Sequence, residues 1–205
     1  MSITLYGLGP SRSFRCLWAL EEAGLEHEFI SLELSSTEKG GAKSPEYIKL
    51  NPQGKVPSLQ HDDFVLTESA AILNYIDAIS GNNFIPSGAK ARAQYDELAF
   101  FVLSELEQPL WTTGKHKFAI PEEHRVEQVL ETAKWEFSKA VNALSTFISV
   151  DEFALNDRFT FADILIAQTF NWAERFGFEV DSQYLEYRDR MYARKAAVDS
   201  VAKFS

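Results

Sequence analysis

A change in hydrophobic periodicity near residue 80 constrains the fold of this chain more than any other feature of its sequence. Before that point, short segments with the apolar pattern of β-strands alternate with helical patterns, whereas after it only helical patterns occur. Residues 81–89 separate the two parts, and their Gly, Asn, Pro and Ser content is typical of a linker. The sequence therefore predicts an α/β domain over residues 1–80 and an all-helical domain over residues 90–205.

The first part has the order strand, helix, strand, helix, hairpin, helix. Apolar spacing predicts its strands at 3–6, 27–34, 56–60 and 64–66, and its helices at 13–23, 44–50 and 67–79. In the second part the same reasoning predicts helices at 90–113, 122–149, 161–176 and 182–194.

Charge and composition argue against several classes of partner. The chain carries 20 basic and 30 acidic residues, a formal net charge of −10, and neither part is basic, so we expect neither nucleic acid nor an anionic membrane surface as a partner. No apolar run reaches the roughly 18 residues of a transmembrane helix, and the N-terminus lacks the basic region of a signal peptide. The four histidines show no metal-ligand spacing, and the single cysteine, Cys16, cannot form an internal disulfide. We therefore expect a cytoplasmic protein without a bound metal.

Two serines, Ser11 and Ser13, lie at the start of the first predicted helix. A serine there often caps the helix and needs no functional explanation. A helix N-terminus also presents free N–H groups and a partial positive charge, and a hydroxyl beside it can donate a hydrogen bond to a bound thiolate. Lowering a thiol pKa by ~2 units requires ~2.7 kcal/mol, which these two effects can supply together. The sequence alone leaves both interpretations open.

Two further segments contain residues suited to binding an extended peptide. A cis bond at Val56-Pro57 would turn the Val56 N–H and C=O outward, although a trans proline at the start of an edge strand is commoner. The segment Thr67-Glu68-Ser69 begins the next helix, and these residues can simply cap it. Alternatively, Ser69 and the helix N–H groups bind a carboxylate while Glu68 binds an amine.

A third polar helix start is interpreted as structural. Thr160 and Asp163 have the spacing of a capping box, and Phe159 and Ile164 occupy the positions of a hydrophobic staple. We therefore expect this segment to stabilise its helix and to take no part in chemistry.

Taken together, these segments resemble the glutathione transferase family over nearly the whole chain. The resemblance covers the first strand, active-site loop and first helix, the glutathione-binding half-site, and three segments of the helical domain. In order, these segments read ITLYGLGPSRSFRCLWALEEAGLEHEF, NPQGKVPSL with LTESAAILNYI, ELEQPLW, RFTFADI and YLEYRDRMYARKAAV. The resemblance implies a thioredoxin-like first domain followed by an all-helical domain.

The resemblance also implies how the tripeptide is held. The Val56-Pro57 bond would be cis, with the Val56 backbone paired to the cysteinyl part of glutathione. Glu68 and Ser69 would hold the γ-glutamyl end, while Gln53 and Lys55 would line the glycyl and central part.

The group that activates the thiol follows from the same resemblance. Serine-type members place their serine four residues before the arginine of the first helix, here Arg15, which makes Ser11 the expected residue. Ser13 is the alternative because the loop varies in length, and Tyr6 is a weaker candidate by analogy with tyrosine-type members. Cys16 does not occupy the position of a catalytic cysteine, and we expect it to pack in the core.

The implied activity is conjugation of the glutathione thiolate, with glutathione as co-substrate, to a small apolar electrophile in detoxification. The electrophile would bind between the active-site loop and the helices near Tyr95–Trp111 and Phe118. Two alternatives remain: a glutathione-dependent peroxidase or disulfide reductase using the same site, and a non-catalytic binding protein of the same fold. The resemblance further implies a homodimer, and segment 90–111 has apolar residues on more than one face.

Overall fold

A four-stranded mixed sheet organises the N-terminal part of the computed structural model, which describes residues 2–155 and 158–204. The strands are Ile3–Gly7 (β1), Glu28–Ser31 (β2), Ser58–His61 (β3) and Phe64–Thr67 (β4). They are arranged in the order β2-β1-β3-β4, with β1 parallel to β2 and antiparallel to β3, and with β3 and β4 forming an antiparallel hairpin. This topology confirms the predicted thioredoxin-like fold.

Three helices complete this sheet region, and two of them begin or end at the type of residue that the sequence indicates, whereas at the third neither Thr67 nor Ser69 caps the helix with its side chain. They are Ser13–Ala23 (α1), Pro45–Leu50 (α2) and Ser69–Ser80 (α3). Gly24 ends α1 with a φ of 64°, a left-handed conformation that favours glycine. Ser44 caps α2, since its side chain accepts a hydrogen bond from the Tyr47 N–H, and a proline follows at the first helical position.

The chain divides into two units, and the second, Pro86–Met191, is the helical one. Its helices are Ala89–Phe101 (α4), Gln108–Gly114 (α5), Val129–Leu144 (α6), Phe161–Arg175 (α7) and Ser182–Tyr192 (α8), which confirms the all-helical prediction for this part of the chain. The first ten residues of α7 are all buried, so this helix forms the centre of the unit. No helix within the described residues is both long and apolar enough to cross a lipid bilayer.

Two helices of this unit differ from the predicted spans. The predicted helix 90–113 widens into a π-helical turn at Val102–Leu106, just before Pro109, which has no N–H to donate to the preceding turn. The predicted helix 122–149 begins only at Val129, and Glu122–His124 forms a single 3₁₀ turn. Residues 121–128 are all exposed, so no buried apolar face supports a longer helix there.

The C-terminal segment belongs to the unit that contains the sheet, whereas the sequence assigned residues up to 205 to the helical domain. The chain from Tyr192 onward belongs to the same unit as the residues up to Ile85. It contains a helix that the sequence patterns did not reveal, Lys195–Ala202 (α9), which packs against α1. The Tyr192 ring stacks on Phe14 of α1, with ring centroids 5.3 Å apart. Burial of aromatic rings on α1 therefore decides where this segment belongs.

Candidate functional site

The sheet register brings the three segments of interest to one end of the sheet. Tyr6, next to the end of β1, pairs with Ser58 at the start of β3, and Ser58 pairs with Thr67 at the end of β4. Because neighbouring strands lie about 4.8 Å apart, the three strand ends are within roughly 10 Å of one another. The loop after β1, the segment before β3 and the start of α3 after β4 therefore leave the sheet side by side.

The loop after β1 places two hydroxyls together at the start of α1. The Ser11 Oγ lies 2.9 Å from the Ser13 Oγ and 2.7 Å from the Leu8 carbonyl oxygen, and it accepts a hydrogen bond from the Ser13 N–H at 3.1 Å. Ser13 is fully buried, and its Oγ accepts a hydrogen bond from the Leu8 N–H at 3.2 Å. Ser11 is only partly buried. Ser11 is thus the serine that a ligand can reach, and Ser13 lies behind it.

Gly7 makes this close arrangement possible. A β-carbon on Gly7 would lie 2.6 Å from the Ser13 Cβ and 2.9 Å from the ring of Phe29, both closer than side chains tolerate. The glycine at the end of β1 therefore allows close packing of the loop on α1.

The Val56-Pro57 peptide bond is cis, as predicted. Val56 is half-buried and Pro57 is buried, while the Gln53 and Lys55 side chains just before them are exposed. Within the part of the chain that the structure describes, the backbone of Val56 has no hydrogen-bond partner. The segment before β3 thus combines an unpaired backbone at Val56 with two exposed polar side chains.

Four residues that the sequence did not single out hold this segment in place. The Tyr47 hydroxyl donates to the Lys55 carbonyl at 2.6 Å, and the Asn51 side-chain amide donates to the same oxygen at 2.8 Å. The Lys43 ammonium donates to the Gly54 carbonyl at 2.8 Å. Ser58, the fourth, has its Oγ 2.8 Å from the Tyr47 hydroxyl. Burial raises the pKa of Tyr47, so the hydroxyl remains a donor at neutral pH. Asn51 in the NPQG segment was the available signal, because asparagine often bonds neighbouring backbone groups in turns.

The start of α3 has a strained backbone and an exposed carboxylate. Glu68 has a φ of 68° and a ψ of 113°, a conformation that is costly for any residue with a side chain. Its carboxylate is exposed, and it forms no salt bridge or hydrogen bond to any residue that the structure describes. Ser69 begins the helix and is 5% exposed. An acidic group and a helix N-terminus are therefore placed next to each other at the same end of the sheet as Ser11.

Comparison with known proteins agrees with this arrangement. Residues 1–78 match the model of the glutathione S-transferase N-terminal domain, and residues 108–194 match that of the glutathione S-transferase C-terminal domain. The chain is 31% identical over 159 residues to glutathione S-transferase 1 of Dianthus caryophyllus, and the alignment covers 74% of this chain and 70% of that protein. The chain belongs to the glutathione S-transferase family.

Solved structures show the same fold along nearly the whole chain. The β-etherase LigF from Sphingobium sp. superposes with a TM-score of 0.86 at 24% identity, covering 99% of this chain and 100% of that one. The theta class glutathione S-transferase from Xanthomonas axonopodis pv. citri, solved with glutathione bound, gives a TM-score of 0.77 at 24% identity and covers 98% and 97% of the two chains. At these identities the likeness concerns the fold.

Tyr6 and Cys16 are the other side chains near the start of α1 that could activate a thiol or react themselves. The Tyr6 hydroxyl donates to the Gln60 side-chain oxygen at 3.2 Å, so it already has an acceptor within the sheet. Cys16 is fully buried, and burial raises the pKa of its thiol far above the ordinary range, an effect that Arg15 only partly offsets. Cys16 therefore stays protonated and packs in the core. No group of three metal-ligating side chains lies together among the described residues.

Proposed function

We propose that this member of the glutathione S-transferase family binds glutathione at the end of the sheet and conjugates its thiolate to a small apolar electrophile. The observation that carries the proposal is the convergence of three segments there: the Ser11 loop, the unpaired backbone at Val56, and the Glu68-Ser69 start of α3. Each segment suits a different chemical part of the tripeptide. The glutathione-bound relative of the same fold supports the choice of ligand.

The two ends of glutathione have separate partners in this proposal. The Glu68 carboxylate binds the free amine of the γ-glutamyl group, and Ser69 with the N–H groups of α3 binds its carboxylate. The Val56 N–H and C=O pair with the cysteinyl backbone as an added strand would. Gln53 and Lys55 lie beside the glycyl end, where an ammonium favours the terminal carboxylate.

The thiol then lies at the start of α1. A free thiol has a pKa of about 8.5 and is mostly protonated at neutral pH. The Ser11 hydroxyl, turned from Leu8 or Ser13 toward the sulfur, donates to the thiolate, and the partial positive charge of α1 favours the same form. The thiolate attacks the electrophilic carbon and forms a carbon–sulfur bond, and the leaving group departs with the electron pair of its own bond.

The buried Cys16 favours conjugation over a reductase that works through a protein disulfide. Cys16 is the only cysteine in the chain, and its thiol is fully buried and protonated. A mixed disulfide between protein and glutathione requires an accessible thiolate, which Cys16 does not supply. Peroxide reduction by bound glutathione alone remains the alternative that uses the same residues.

We further propose a cytoplasmic homodimer. One face of the π-turn segment and α5 is in the core, where Val102, Leu106 and Leu110 are fully buried, while Phe100 on α4 is 66% exposed. An exposed phenylalanine beside buried apolar residues is suited to a subunit contact. Sedimentation at micromolar concentration should give twice the mass of one chain, and a single species at the mass of one chain would contradict the dimer.

The proposed function is tested by titration and by paired assays. Calorimetry should show glutathione binding in the micromolar to millimolar range, and saturation at 100 times the dissociation constant should stabilise the fold by about 2.7 kcal/mol. Turnover of an aryl halide should then be compared with reduction of an organic hydroperoxide on the same preparation. Absence of binding rejects the whole proposal, whereas binding with turnover of the hydroperoxide alone replaces conjugation by peroxidase activity.

A further inference from the structure

Phe204, near the C-terminus, packs directly on the loop that carries Ser11. Gly9, within this loop, is buried, and a β-carbon built on it would lie 3.1–3.4 Å from atoms of Phe204. The Phe204 ring therefore fills the place where a side chain at position 9 would be. Its centroid also lies 5.8 Å from that of Phe14 on α1 and 5.5 Å from that of Phe29 on β2.

The segment that ends in Phe204 is anchored on α1 by charged groups as well as by rings. The Arg194 guanidinium donates to both carboxylate oxygens of Glu22, at 2.6 and 2.9 Å. The Lys203 ammonium forms a salt bridge with Glu21, at the C-terminal end of α1. A bidentate arginine–carboxylate pair fixes orientation as well as distance. Phe204 is thus held on the loop by contacts on both sides of α9.

The loop is held partly by a hydrogen bond of the Ser11 hydroxyl. Its backbone bonds include the Ser11 N–H to the Leu8 carbonyl at 3.3 Å, and the Phe14 and Arg15 N–H groups to the Ser11 and Arg12 carbonyls at 3.1 and 3.3 Å. The Ser11 hydroxyl itself lies within donating distance of the Leu8 carbonyl and the Ser13 hydroxyl. If it turns to a bound sulfur, that bond is lost, and the contact of Phe204 with Gly9 then helps to keep the loop in place.

We propose that Phe204 is a positioning residue of the thiol site. It holds the loop of residues 8–12 against α1 and so fixes where the Ser11 hydroxyl lies. This inference rests on the proposed function, because it concerns the activation of a bound thiol. It gives the C-terminal segment a role that neither the strand pattern nor the helix pattern indicates.

A set of four variants tests this role. Phe204→Ala removes the ring, Phe204→Leu retains an apolar side chain, and Val201→Ala on the exposed side of α9 is the matched control. Gly9→Ala introduces a methyl group where the ring lies, and Gly9 is not among the positive-φ glycines, so the change strains no backbone. Each variant is measured for hydrogen exchange of the loop amides, for the pKa of bound glutathione thiol by ultraviolet absorbance, and for kcat and KM.

Phe204→Ala should increase exchange in the loop, raise the thiol pKa and lower kcat roughly tenfold, since a small misplacement at a distance can reduce rates by up to ~100-fold. The KM for glutathione should change less than twofold, because the ends of the tripeptide bind elsewhere. Phe204→Leu should recover most of the loss, and Val201→Ala should match the wild type. Gly9→Ala alone should reproduce the loss of kcat. In a double variant it should add little to the effect of Phe204→Ala, because the two changes disrupt one contact.

Two results would overturn the inference. One is unchanged loop exchange in Phe204→Ala, which would mean that the ring does not hold the loop. The other is increased exchange with an unchanged thiol pKa and kcat, which would separate the loop from the chemistry. Failure of the proposed function is distinguishable, because it appears in the wild-type protein as absence of glutathione binding or of thiolate formation.

Discussion

The start of α3 and the start of α7 contain the same kinds of side chain, a carboxylate and a hydroxyl, in opposite environments. Glu68 is exposed and lies at a positive φ, and its carboxylate has no partner among the described residues. Asp163 is fully buried and accepts hydrogen bonds from the Ala154 N–H at 2.8 Å, the Thr160 N–H at 2.7 Å, the Thr160 hydroxyl at 3.0 Å and the Tyr187 hydroxyl at 2.5 Å. The capping box predicted at α7 is confirmed.

The difference shows how a structural helix start is distinguished from one that suits a ligand. A buried carboxylate is stable only when donors surround it, and at α7 the protein itself supplies all of them. At α3 the strained backbone and the exposed carboxylate leave the same binding capacity unused. Substitution at the start of α7 should therefore lower stability, whereas substitution at the start of α3 should weaken glutathione binding.

Asp163→Ala should give the largest effect, a loss of roughly 3–5 kcal/mol in the free energy of unfolding, because buried donors lose their acceptor. Glu68→Ala is the matched control and should change stability by less than about 1 kcal/mol, as expected for an exposed side chain. Urea unfolding monitored by circular dichroism measures both. If Glu68→Ala lowers the free energy of unfolding as much as Asp163→Ala does, the two helix starts do not differ as described.

Ser11→Ala extends the comparison to the start of α1 and should lower kcat by about one to three orders of magnitude, since it removes a donor to the thiolate. Glutathione affinity should stay within a few fold. Ser13→Ala should lower stability, because it leaves the partly buried Leu8 N–H without its acceptor. If Ser13→Ala has the larger effect on kcat, the roles of the two serines are exchanged.

Glu68→Gln should raise the KM for glutathione about tenfold with a smaller change in kcat, since it removes the charge that binds the amine. Glu68→Gly should weaken glutathione binding to the same extent. It should also stabilise the free protein by about 1 kcal/mol, because glycine adopts the positive φ without strain. Thermal unfolding with and without glutathione separates the two effects. Unchanged KM in a folded Glu68→Gln variant would remove this residue from the site.

Tyr187→Phe should have the smallest effect, a loss of about 1 kcal/mol at neutral pH. Burial raises the pKa of Asp163, so the pH-dependent part of its contribution to folding is present at low pH and is lost as the pH rises through that pKa. The hydrogen bond from the Tyr187 hydroxyl lowers the pKa of Asp163, because it favours the ionised carboxylate. The cost of Tyr187→Phe should therefore shrink as the pH falls through the pKa of Asp163, and a cost independent of pH would mean that the bond does not favour the ionised form.

Most of the fold could be predicted because local patterns specified it. Strand and helix periodicity, Gly24 and the capping box are short-range signals, and the structure confirms the elements that they indicate. The widened turn at Val102–Leu106 and the late start of α6 were missed, because they depend on packing and exposure along otherwise helical sequence. The candidate site residues came from resemblance, and their roles stay predictions.

By itself, the sequence determined the order of elements in the first domain, the all-helical character of the second part and the family, because these depend on residue type and spacing along the chain. It also predicted which side chains bind glutathione. Tertiary structure alone decided which helix start is buried and satisfied and which is open, since burial depends on residues far apart, such as Tyr187 and Asp163. It also decided that Phe204 lies on Gly9, a contact between the two ends of the chain. Such contacts leave no periodic signal, because a ring at the end of a chain can pack on any apolar surface that the fold brings near it.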